Sequence, residues 1–315
     1  MRLRQPSASV SIRKLAIAAE DGFVLGASLY HPVAARARGT VILHGATAVP
    51  QSYYRHFASF LAERGLRVLT YDYRGVGRSR PAQLRGFAAT MTDWARLDAA
   101  AVHRFVRTHH GDEPMVLVGH SFGGQLIGLL DDTGDAAGAL LVATHLPTVD
   151  MWPLPRRALV GAFFAGIVPA AIATTGYVPG WAGLGADLPA GVAREWARWC
   201  MQDGYLLGSH PDAAARFAAF RRPVLVWSFS DDSYAPPRSV TALVQALSGA
   251  DLELRRLGPD DVGAKVGHLG FFRAPFRARF WGPSATWLEA VLDGQPPPRD
   301  VLITEEELAH DLGYR

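Results

Sequence analysis

The chain of 315 residues has one cysteine, Cys200, and two lysines, Lys14 and Lys265. A single thiol excludes an intrachain disulfide framework and a thiolate pair for metal or redox chemistry, and it fits a cytoplasmic address. Arginine carries the remaining basic charge, yet the net charge is only +3 and no basic run is long enough to form a nucleic-acid stripe, so no nucleic-acid partner is expected. H-E-x-x-H and phosphate-loop patterns are missing as well, which implies no metal and no nucleotide cofactor. The N-terminal stretch "MRLRQPSASVSIRKLAIAAEDG" is basic but lacks the apolar core of a secretory signal. The most apolar segment, "ALVGAFFAGIVPAAIA" at 158–173, is short for a bilayer span and contains Pro169. It is expected to be a buried or cap helix rather than a membrane span, with interfacial contact as the alternative.

What is present is a core-forming chain, with 49% hydrophobic and 19% charged residues, large enough for one α/β domain with an insertion. Segments 12–19 and 23–30 read as strands joined at Asp21-Gly22, a tight-hairpin dipeptide. Apolar strand runs at 40–45, 66–72, 115–118 and 138–143 then alternate with helical patterns, one through Phe57, Phe60 and Leu61 and another through Trp94, Leu97, Val102 and Phe105. Such alternation predicts a parallel sheet. After Ala143 the rhythm stops, and it resumes with strands at 223–229 and 251–257. The organisation expected is a core of residues 1–144 and 219–294, an inserted cap of 145–218, and a tail of 295–315 in which Thr304 and Glu307 cap a short helix.

Gly119, Ser121 and Gly123 stand as G-x-S-x-G between a strand run and the helical pattern of Phe122, Leu126, Leu129 and Leu130. A serine on a sharp strand-to-helix turn needs small residues two before and two after it, because larger side chains would meet neighbouring backbone. Its hydroxyl also needs a base, and the base needs a group to hold it. Strand 223–229 empties into "SDDSYAPP", which supplies Asp231 and Asp232. His268, in "AKVGHLGFF", follows the last expected strand, whereas His310 sits beyond a proline spacer, so His268 is the base in this reading. The "LHGAT" segment ends an early strand and offers the N–H of Ala46 or Thr47 to join that of Phe122 around a developing oxyanion. His44 and His120 read as packed or bonded to the sheet, and Asp72, Arg74 and Ser79 as the bonds of a turn.

The motifs "GHSFGG", "YDYRGVGRS" and "HGAT", in their chain order, resemble those of the serine-dependent α/β-hydrolase superfamily. "SDDSYAPP" and "GHLGFFR" are similar to segments of a group of bacterial predicted α/β hydrolases. The resemblance implies the α/β-hydrolase fold, a mostly parallel sheet of about eight strands flanked by helices with an inserted helical cap. It places the acid four residues before a proline, which matches Asp232 with Pro236 and leaves Asp231 as a turn residue. The implied activity is hydrolysis of carboxylic esters through Ser121, His268 and Asp232, on a small-molecule substrate with an apolar acyl or alcohol part. The same residues would serve an acyltransferase, and a ligand-binding receptor with little turnover is the rival from another class. Trp152, Trp181, Trp196 and Trp199 fall in the inserted segment, and Trp196 and Trp199, on one helix face, are the candidates for lining the substrate pocket.

Overall fold

The N-terminal hairpin and the alternation that follows build a single large sheet. The computed structural model describes residues 10–33 and 36–299. Thr304, Glu307 and His310, with the tail helix expected there, lie outside the described residues. The strands are β1 (Val10–Ala18), β2 (Val24–Pro32), β3 (Thr40–His44), β4 (Arg67–Tyr71), β5 (Met115–His120), β6 (Ala136–Val142), the short β7 (Tyr177–Val178) and β8 (Leu188–Pro189), then β9 (Pro223–Phe229) and β10 (Asp251–Leu257). Eight of them form one sheet in the order β1-β2-β4-β3-β5-β6-β9-β10, while β7 and β8 pair separately. The β1–β2 and β2–β4 pairs are antiparallel, and every pair from β4 through β3 to β10 is parallel.

Strands β3, β4 and β5 are buried at every residue, as expected of a parallel sheet covered on both faces. One apolar layer joins Leu117 of β5 to Val102, Leu126 and Phe217 on the helices Ala100–His110, Phe122–Leu129 and Ala213–Ala219. The opposite layer joins Val116 and Val118 to Phe57 and Leu61 of the helix Arg55–Glu63 and to Leu288 of the helix Gly282–Leu292. The chain leaves β3 toward β4 on one side and returns to β5 on the other. The order therefore reverses at β3 and β5, where His44 lies opposite Gly119 in register. Crevices at such a reversal are where open α/β sheets place their ligands.

The segment between β6 and β9 contributes a helix from Arg156 to Thr175, the β7–β8 pair and the helix Ala190–Met201. The expected cap helix is found, but the reading of 158–173 as too short for a bilayer span needs correction: the helix runs for 20 residues, long and apolar enough by length and composition to cross one. Phe164, Val168 and Ile172 are buried along one stripe, whereas Leu159 and Ile167 are 69% and 50% exposed. The helix is apolar on every side but has a protein neighbour on one side only, where Phe164 packs edge-on against Trp196 with ring centroids 5.0 Å apart.

Candidate active site

Ser121 joins β5 to the helix Phe122–Leu129 at φ 53 and ψ −116, a conformation that a residue with a side chain adopts only under strain. Its N–H donates to the Val142 carbonyl at 2.9 Å, which ties the turn to the neighbouring strand. The flanking glycines explain how so sharp a turn fits. A Cβ on Gly119 would overlap the Gly124 backbone, and one on Gly123 would overlap the carbonyl of His44. The positive-φ residues Ala48 and Ala143 lie just past the ends of β3 and β6, so strained backbone gathers along this one edge of the sheet.

His268 Nδ1 lies 2.7 Å from Asp232 Oδ2. The other carboxylate oxygen of Asp232 accepts the N–H groups of Tyr234 at 2.8 Å and Ala235 at 3.2 Å. Burial disfavours the Asp232 carboxylate, but the charge and hydrogen bond of His268 outweigh it and hold the pKa below the ordinary value. A carboxylate can only accept, so the His268 Nδ1 carries a proton, and Nε2 is the acceptor in the neutral ring.

Asp231, expected as a turn residue, has a larger part. Its carboxylate oxygens accept the N–H groups of Val266 at 2.9 Å and Gly267 at 3.0 Å, so it clamps the loop that carries His268. Tyr53 completes the clamp by donating to the Leu269 carbonyl at 2.6 Å.

His120 is packed, as expected, against Tyr54 and Phe272, and its side-chain bonds go to the His268 loop and to Tyr54. Its Nε2 is 2.9 Å from the His268 carbonyl, which requires the proton on Nε2. Nδ1 therefore accepts from the Tyr54 hydroxyl at 2.9 Å, and that hydroxyl accepts the Ala46 N–H at 2.8 Å. Burial and the nearby His268 hold the His120 pKa down at about 3, and burial pushes the Tyr54 phenol well up, so the relay is neutral. Its consequence for the oxyanion loop is direct: the N–H of Ala46 is already spent on Tyr54. Among the described residues no acceptor takes the N–H of Thr47, and Phe122 heads its helix, where the first N–H groups have no intrahelical acceptor. Thr47 and Phe122 are the available pair.

His145 is a further residue of the site that no sequence motif marks. Its ring stands edge-on to His268 at 5.6 Å, its Nδ1 donates to the Ala143 carbonyl at 2.9 Å, and burial with the nearby His268 lowers its pKa to about 4. Gln125, one turn beyond Ser121, donates to the His145 carbonyl at 2.7 Å and accepts from Tyr205 of the cap at 3.2 Å. Tyr234 covers His268 at 5.1 Å between ring centroids. Position alone brings these side chains in, which is why spacing in the sequence does not reveal them.

Asp72, Arg74 and Ser79 hold the turn after β4. Asp72 accepts from the backbone N–H groups of Gln51 and Arg78, and Arg74 spans Asp21 and Asp98. Ser79 closes the same turn by donating to the Asp72 carbonyl. His44 packs behind the oxyanion loop, with Tyr71 at 2.7 Å and His103 at 3.1 Å. Trp199 is fully buried between Tyr205 and His210, which makes it core of the cap rather than lining. Trp196 is half-buried against Phe164. Trp152 touches the acid loop instead, its Nε1 donating to the Ser233 carbonyl at 3.1 Å.

Residues 40–280 match the family described as the alpha/beta hydrolase family. A non-heme haloperoxidase from Rhodococcus erythropolis is 30% identical over 196 residues, which cover 56% of this chain and 69% of that protein. An esterase from Pyrococcus furiosus superposes with a TM-score of 0.59 at 14% identity, covering 93% of this chain and 96% of its own. An esterase from Exiguobacterium antarcticum gives 0.58 at 16% identity, covering 88% and 100%. The sheet order, the serine elbow and the extent of the family match lead to one assignment: the chain belongs to the α/β hydrolase family.

Proposed function

We propose that the protein hydrolyses carboxylic esters through an acyl-enzyme on Ser121. The observation that carries this reading is the 2.7 Å pair of Asp232 and His268, on a loop whose His268 carbonyl is bonded to His120, the residue beside the strained serine. In this mechanism His268 Nε2 takes the hydroxyl proton as Ser121 attacks the ester carbonyl, while Asp232 holds the ring's tautomer and orientation. The oxygen that becomes negative is met by the N–H groups of Phe122 and Thr47. Collapse expels the alcohol with the proton from His268, and water, activated by the same nitrogen, releases the acid and restores the serine.

The test is a panel of ester, thioester, lactone and amide substrates with wild type and Ser121→Ala. Turnover of esters in wild type and its loss in the variant support the reading. Product formed only when an acceptor alcohol is added would replace hydrolysis by acyl transfer. Because the Rhodococcus erythropolis relative is named a haloperoxidase, an arm with hydrogen peroxide and bromide is included. Halogenation without ester turnover would overturn the proposal.

A further inference from the structure

A helix that is apolar all round is normally covered all round. The helix Arg156–Thr175 departs from this, with only 17% of its most apolar window buried. Leu159 and Ile167 on the helix and Leu154 just before it are exposed, and Trp181, in the turn that follows β7, is 86% exposed. Apolar surface concentrated in one segment marks a contact site, whereas scattered exposed residues do not.

Charge indicates which contact. Residues 151–185 contain Arg156 and Arg157, both exposed, and no acidic residue. The nearest preceding acid, Asp150, faces Arg238 at 3.7 Å. A groove of about 430 Å³ runs beside the helix between Val168 and Ile172 on one wall and Ala197 and Arg194 on the other, with Arg194 the one charged residue in its lining. A second copy of this face would bring more arginine and no counter-charge. A surface with anionic headgroups above acyl chains complements both the cations and the apolar side chains. An exposed tryptophan suits the boundary between the two.

The same segment reaches the candidate site. The Tyr234 hydroxyl, over His268, points to the Gly183 carbonyl at 3.5 Å, and the Ala186 N–H donates to the Ala48 carbonyl on the oxyanion loop at 3.0 Å. We propose that the cap docks on an anionic bilayer through the face of Leu154, Leu159, Ile167 and Trp181, flanked by Arg156 and Arg157. Because the segment is bonded to Tyr234 over His268 and to Ala48, docking there makes bilayer-borne esters the substrate class of the site. The substrate class rests on the hydrolase reading; the docking does not.

The experiment is co-sedimentation of the full chain with vesicles of phosphatidylcholine alone and of phosphatidylcholine mixed with phosphatidylglycerol. Wild type is expected to prefer the mixed vesicles and to release as salt is raised. The double variant Leu159→Asp/Ile167→Asp is expected to bind about tenfold more weakly or worse. It should keep its circular dichroism and its turnover of a short soluble ester, because both side chains are exposed. Arg156→Gln with Arg157→Gln should remove the preference for phosphatidylglycerol. Wild type that ignores both vesicle types, or a double variant that binds like wild type, would overturn the docking. A wild-type dimer dissociated by the double variant, with no vesicle binding, assigns the face to a second copy and also overturns it. Ser121→Ala should bind vesicles like wild type. Vesicle binding without cleavage of any ester would leave the docking standing and remove the hydrolase reading.

Discussion

At the carboxyl edge of the sheet, Asp231, His120 and Tyr53 each spend a polar group on the loop that carries His268, and Asp232 holds its ring. On the cap, the helix Arg156–Thr175 leaves Leu159 and Ile167 in solvent. The first region is closed by its own chain, and the second is closed on one side only. The contrast separates two kinds of specification. The geometry at the sheet edge is over-determined by hydrogen bonds and by glycine clearance, so a small change there should be felt in the chemistry. Cap geometry follows from apolar packing against whatever the helix meets, so changes there should be felt in stability and in choice of partner.

The largest expected contrast lies within the sheet edge itself. Asp232→Asn should lower kcat by about 10⁴, the loss seen when a catalytic histidine is left in the wrong tautomer. Asp231→Asn retains one acceptor for the two N–H groups of Val266 and Gly267, so the His268 loop shifts but keeps its carboxylate partner. A loss on the order of tenfold is expected, because a displaced base costs less than a base of the wrong tautomer. Steady-state kinetics on one ester decide it, and equal losses would merge the two roles.

The cap offers a second pair. Trp199→Ala removes a fully buried ring from between Tyr205 and His210 and should cost about 3–5 kcal/mol of stability in urea unfolding. Trp196→Ala should cost less, and should shift the ratio of kcat/KM for long and short acyl esters by a few fold, on the order of the 1 kcal/mol that a methylene or two contributes. If Trp196→Ala destabilises as much as Trp199→Ala and leaves the ratio unchanged, both tryptophans are packing.

The last contrast is electrostatic. Burial lowers the pKa of His44 well below the ordinary value, of His103 and His145 to about 4, and of His120 to about 3. Unfolded histidine titrates near 6.5, so below that pH the unfolded chain binds protons that the native chain does not. The contribution of these histidines is therefore full above about pH 6.5 and should fall as pH drops through 6 toward 4. Urea midpoints measured across that range check it. A midpoint flat from pH 7 to 5 would mean that these rings are not buried in their neutral form.

Much of the sheet edge was legible in the sequence because its determinants are local. The G-x-S-x-G spacing reports the clearances around Gly119 and Gly123, strand runs report buried β3 and β5, and the order of Ser121, Asp232 and His268 follows the order of the strands that deliver them. The Tyr54–His120 relay was not legible, since it joins residues 66 apart in sequence and depends on which nitrogen carries a proton. That relay also takes up the N–H of Ala46, which on spacing alone is equal to Thr47 as a candidate for the oxyanion donor. Asp231 looked like a spare acid because its partners, Val266 and Gly267, are backbone groups that leave no mark in side-chain identity. The cap helix was legible as a helix but not in its exposure: apolar composition says that a surface is to be covered, and it does not say by what.

The central claim is that Ser121 is an activated nucleophile and not a serine that merely begins a helix. A fluorophosphonate probe tests it directly, because only a serine whose proton is being taken by a base is attacked at a useful rate. Wild type should be labelled at Ser121, with labelling and ester turnover both falling sharply in His268→Ala, by as much as about 10⁶ in kcat where serine and histidine act as a unit. Folded wild type that takes no label at Ser121, or a His268→Ala protein labelled as fast as wild type, would contradict the account.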